Sequence, residues 1–136
     1  MPIDYTIDHE RRLVMAQARG VLTDEDVFGY QRELWSRADV AGYNELVDMS
    51  HVEQIVQPSA DRVRQLAGFA ASMDSRSSAS RFAIVAATDY AFGLGRVFQT
   101  FRGMDERSTK KVGVFRSLDE ALAFLAAGER SAAEGP

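Results

Sequence analysis

The chain has 136 residues, 46% hydrophobic and 26% charged, which points to one globular domain; with no Cys it has neither disulfides nor thiolate metal or catalytic chemistry. Sixteen basic against twenty acidic residues give a net charge of −4, which argues against a general nucleic-acid binder that must neutralise phosphates. No run approaches the ~18 apolar residues of a membrane span and the start, Met1 to Arg12, has no apolar leader, so a soluble, cytoplasmic protein is expected.

In chain order, Ile3, Tyr5 and Ile7 alternate with polar residues, and Leu13 to Ala16 follow after His9-Glu10-Arg11, which predicts a hairpin of two strands. Thr23 then precedes Asp24-Glu25-Asp26, a capping residue followed by acids where the helix dipole favours them. The helix is expected from Asp24 to Ala38, with Val27, Tyr30, Leu34, Trp35 and Ala38 on one face and Phe28 at its edge. Glu45 to Met49 reads as a short strand, and Pro58-Ser59-Ala60 opens a second helix to Met73 with Val63, Leu66, Ala67, Ala70 and Met73 inward. After a polar loop from Asp74, the nearly continuous apolar run Arg81 to Ala87 reads as a central parallel strand covered on both faces. Asp89 is expected to cap a third helix to Arg102, Lys111 to Phe115 a last strand, and Ser117 to Glu120 a capping box for a final helix ending near Ala127. The fold class that follows is α/β: a single domain over residues 1–127, ββαβαβαβα, with a mostly parallel five-stranded sheet, an antiparallel edge hairpin, four helices and a flexible C-terminal tail over 128–136.

Several segments resemble the SpoIIAA-like branch of the STAS domains, whose members are also compared with the lipid-binding CRAL-TRIO domains. They are Leu46-Val47-Asp48-Met49-Ser50, Ser59-Ala60 before a helix, Ser80 to Val85, Ala91 to Arg96 with Phe98 and Phe101-Arg102, and Asp119 to Leu122. The resemblance implies the fold above and a non-enzymatic module that binds partners, small ligands or membranes. Anti-sigma-factor antagonists of this fold are switched by phosphorylation in an Asp-Ser-Ser-Gly stretch; the equivalent stretch here is Val56 to Ala60, where only Ser59 could carry the phosphate. The Asp-Ser-Ser-Gly motif itself is missing, and Ser59 reads first as an ordinary N-cap.

Charge is unevenly distributed: residues 76–116 carry 8 basic and 3 acidic side chains, whereas residues 1–75 carry 7 and 13. A basic segment in an acidic protein suggests a patch for a lipid-like or small anionic ligand or a peripheral membrane contact. Phe92 falls almost opposite the apolar face of Tyr90, Leu94, Val97, Phe98 and Phe101, beside Arg96. The candidate ligand-binding residues are therefore Phe28, Trp35, Phe92 and Arg96, and a pocket is expected between the aromatic stripe of the first helix and the helix of Phe92. The same apolar residues could instead meet a second copy, giving a homodimer. Asp48, Ser50 and His51 hold the residue types of a hydrolytic triad, but as turn residues after a strand they lack its geometry. Gly93 and Gly95 fall inside the third helix rather than in a dinucleotide loop, which predicts close approach of its backbone to something. No cofactor, metal site or catalytic residue is expected, and the candidate functions are ligand binding, regulatory protein interaction and, behind both, a small Ser/His hydrolase.

Overall fold

The structure, a computed structural model, describes residues 2–56, 59–75 and 79–134. Strands β1 (Ile3–Asp8), β2 (Leu13–Leu22), β3 (Asn44–Ile55), β4 (Ser80–Val85) and β5 (Lys110–Phe115) lie in the sheet in their order along the chain. The hairpin β1–β2 is antiparallel and every other neighbouring pair is parallel. Between the parallel strands run α1 (Asp24–Leu34), α2 (Ala60–Ser72) and α3 (Asp89–Met104), and α4 (Leu118–Glu134) follows β5.

Because the strands advance in one direction across the sheet, right-handed crossovers place α1, α2 and α3 all on one face. Tyr30, Leu34 and Trp35 of α1 pack there on Val14 and Ala16, and Ala67, Ala70 and Phe98 of α2 and α3 pack on Phe82, Ile84 and Val112. Helix α4 closes no crossover and takes the other face, where Ala121 and Leu125 meet Leu13, Leu46, Ala83 and Val85. Strand β4 is thus covered on both faces, as its apolar run requires.

Local chemistry sets the helix starts. Thr23 Oγ1 accepts from Asp26 N at 3.1 Å while Asp26 Oδ2 accepts from Thr23 N at 2.9 Å, a reciprocal cap. Helix α3 is capped by Thr88, whose hydroxyl accepts from Ala91 N, rather than by Asp89, which occupies the first turn. Helix α1 ends at Leu34, short of Ala38, which instead begins a 3-10 turn to Val40. In the opposite sense α4 continues past Ala127 to Glu134, because Gly128 is followed by residues that mostly favour helix. The tail expected over 128–136 is therefore helical as far as Glu134, and residues 135–136 lie outside those described.

Two larger differences from the sequence reading shape the site. Strand β3 runs to Ile55, not Met49, because Arg19 to Leu22 of β2 pair with His51 to Ile55 after β4 has ended its pairing at Asp48. Ser50 and His51 are thus strand residues in a two-stranded ribbon that overhangs β4, not turn residues. On α3 the buried stripe is Ala91, Gly95, Phe98 and Arg102, while Tyr90 and Val97 face out. The helix is turned so that its small residues meet the sheet: a Cβ on Gly95 would lie 2.9 Å from Val114 Cγ1, so only glycine permits this approach. A projection that centres bulky apolar residues misplaces such a face.

The basic segment is also resolved by pairing. Arg102 bonds Asp74 and Lys110 bonds Glu45 in two buried ion pairs whose acidic members lie in the acidic part of the chain. Arg107 pairs with Asp105 and Arg116 with Asp89, and Arg81 lies over the Phe124 ring while donating to its carbonyl. Five of the segment's eight basic residues thus engage partners within the fold.

Candidate functional site

Where the overhanging ribbon sets α1 apart from α3, a cavity of about 150 Å³ opens between α1, α2, α3 and the sheet. Val47 and Met49 of β3 and Phe82 and Ile84 of β4 form its floor. Val27 and Phe28, Val63 and Leu66, and Leu94 and Phe98 line it from α1, α2 and α3 in turn. A cavity of this volume accepts a body about the size of benzene, and an apolar lining of this kind is what ligand sites are built from.

Helices α1 and α2 run side by side over it, bridged by side chains at three levels. Near their N-termini Arg62 Nε donates to Asp24 Oδ2 at 2.6 Å and Arg62 Nη2 to Glu25 Oε1 at 2.9 Å. The same guanidinium lies 4.5 Å from the centre of the Phe28 ring, which stacks on Phe69 at 5.9 Å. Toward the C-termini Gln31 Nε2 reaches Met73 Sδ at 3.6 Å. Arg62 beside it holds the Asp24 carboxyl below its ordinary value. Asp24, Phe28 and Arg62 all line the cavity, so its polar rim is an arginine paired with Asp24, while Glu25 holds the same guanidinium from outside the lining.

At the inner wall the lining turns polar. Glu45 Oε1 accepts from Lys110 Nζ at 2.9 Å and Oε2 from the Tyr30 hydroxyl at 2.8 Å, and that hydroxyl accepts from Trp35 Nε1 at 3.2 Å. Lys110 Nζ also sits 3.2 Å from the centre of the Trp35 ring. Burial pushes the Lys110 ammonium below its ordinary value against the pull of Glu45, and burial together with Glu45 pushes the Tyr30 phenol well above its own. Glu45, Tyr30 and Gln31 face the cavity, whereas Lys110 and Trp35 lie behind them.

Of the four candidate ligand residues, only Phe28 lines this cavity. Trp35 is a core residue whose indole is committed to Tyr30 and Lys110. Phe92 lies outside, half-buried under the Arg116 guanidinium at 4.2 Å, and Arg96 is exposed on α3. The pocket does lie between the first helix and the helix of Phe92, but the residues that form it from α3 (Ala91, Leu94, Gly95 and Phe98) are on a different face of that helix from Phe92.

Ser59 caps α2, its hydroxyl accepting from Arg62 N at 3.1 Å; Pro58 before it lies outside the described residues. Ser50 Oγ donates to Asp48 Oδ1 at 2.6 Å with no histidine between them, and among the described residues no hydrogen bond joins His51 to either. Neither lines the cavity. The residues that sequence reasoning missed are Arg62, Gln31 and Glu45. Only Gln31 carried a local signal, since it shares a helix face with Val27 and Leu34.

In the comparison with solved structures, the chain is similar to an uncharacterised protein of the DUF3478 family with a SpoIIAA-like fold from Shewanella loihica PV-4. The two share 18% identity over 90% of this chain and 93% of that one, with a TM-score of 0.57. No family model matches the chain, and no curated protein matches it either. The element order, the 1-2-3-4-5 strand order with its antiparallel edge hairpin, and this likeness together show that the chain has a SpoIIAA-like fold.

Proposed function

We propose that the protein is a non-enzymatic binding module that takes a small amphipathic molecule, its apolar body in the cavity under α1, α2 and α3 and an anionic head at Arg62. The observation that carries this reading is an apolar cavity whose rim holds a guanidinium stacked on Phe28. Burying the body supplies the affinity, at about 25 cal/mol per Å² of apolar surface, and the head group fixes the orientation. Its carboxylate replaces Glu25, whose side chain is 73% exposed and so holds Arg62 only weakly, while Asp24 keeps its own bond.

Thermal unfolding with 3-phenylpropanoate as probe tests the reading. At a hundredfold excess over Kd the ligand adds about 2.7 kcal/mol of stability, a rise in Tm on the order of 9 °C for a chain of this size. Glu25→Gln removes the competing charge and is expected to tighten binding of this anion several-fold. A flat Tm in both proteins, with no small molecule released from the purified protein on denaturation and detected by mass spectrometry, contradicts the proposal.

A further inference from the structure

Resting on that reading, we infer that the ligand carries an uncharged hydrogen-bonding group, a hydroxyl or a carbonyl, at its buried end, and that Gln31 recognises it. Gln31 lines the cavity and is 8% exposed, yet its carboxamide is almost unserved. Its one side-chain hydrogen bond goes to the thioether of Met73 at 3.6 Å, a weak acceptor, and among the described residues no donor meets its oxygen. The other polar groups on the inner wall are already served: both oxygens of Glu45 accept a hydrogen bond, and the Tyr30 hydroxyl both donates and accepts. Among the described residues of the inner wall, Gln31 is therefore the group with most to gain from a bond to a ligand.

A purely hydrocarbon end would strip solvent from this amide and return nothing, which costs affinity. A second anion there would be worse. The Glu45 carboxylate lines the same cavity, and its one cation, Lys110, is already bonded to it. The charged head thus belongs at Arg62 and a neutral polar group at Gln31, a polarity along the cavity that selects both the class of ligand and the way round it enters. An aromatic or short aliphatic body with a carboxylate at one end and a hydroxyl at the other meets both demands.

Calorimetric titration of 3-(4-hydroxyphenyl)propanoate against 3-phenylpropanoate reads the difference directly, since the two differ by the one hydroxyl. Wild type is expected to bind the hydroxylated acid about tenfold more tightly, the worth of one good buried hydrogen bond. In Gln31→Met the ratio should fall to about one, and Gln31→Leu serves as the second variant should the first not fold. Equal affinities for the two acids in wild type, or a ratio unchanged in the variant, overturn the role of Gln31 and leave the binding reading standing. Failure of wild type to bind either acid overturns both.

Discussion

Asp74→Ala is expected to lower the unfolding free energy by about 3–5 kcal/mol, the cost of leaving one member of a buried ion pair alone. The Asp74 side chain is 3% exposed and that of its partner Arg102 2%, so water cannot reach the orphaned guanidinium. Arg102 has no slack to redistribute, because its Nε already lacks a hydrogen-bond partner. The second oxygen of Asp74 meanwhile accepts from Thr109 N at 2.9 Å, Lys110 N at 3.2 Å and Ser108 Oγ at 3.3 Å, tying the chain before β4 to the start of β5. Removing it therefore strands several donors besides the cation. Urea unfolding of the variant is the check, and a loss below about 1 kcal/mol, the range of exposed pairs, would show that this one is not functionally buried.

Glu45→Ala should cost a similar amount, again about 3–5 kcal/mol, for a related reason. Lys110 would remain beneath Trp35 with its ammonium unpaired, and Tyr30 would lose the acceptor for its hydroxyl. Replacing both partners costs less. The double variant Glu45→Leu, Lys110→Met removes both charges from the interior and leaves only the Tyr30 hydroxyl without its acceptor, so it is expected to recover most of the loss. Denaturation of the single and double variants side by side tests this, and a double variant as unstable as Glu45→Ala would contradict it. The comparison matters for function, because an ion pair that adds little to stability while its carboxylate lines a cavity has another reason to be there.

Local features of the fold were legible because their causes are local. Thr23 and Asp26 are three residues apart and form the cap that their types imply. The apolar run of β4 sits between layers as its composition requires, and Gly95 makes the close approach expected of the two helical glycines, whereas Gly93 faces open space. The strand order was not legible, because the right-handed crossover rule fixes the face each helix takes only once that order is known. The end of β3 was not legible, since Ser50 to Gln54 are held in the sheet by backbone pairing to β2 and need no apolar side chains.

Most of the site was out of reach for a different reason. Arg62 meets Asp24 across 38 residues, and Lys110 meets Glu45 across 65. No pattern within a helix or strand reports such pairs, so Arg62 looked like one more solvated arginine and Lys110 like part of a basic surface. Phe92 was conspicuous because it broke the helical pattern, but the break is satisfied by Arg116. Gln31 kept the helical pattern in position and broke it in chemistry, a polar residue on the face of Val27 and Leu34, and that is the more informative kind of exception.

Methyl-resolved NMR during titration with 3-phenylpropanoate tests whether the proposed ligand sits in the cavity under α1, α2 and α3. Saturable shifts are expected at the methyls of Val27, Val63, Leu66 and Leu94, which line the cavity, and none at Val97, which is exposed on the outer side of α3. Shifts confined to the outer side of α3 near Phe92 and Val97, or no saturable shift at the cavity methyls, would contradict that placement.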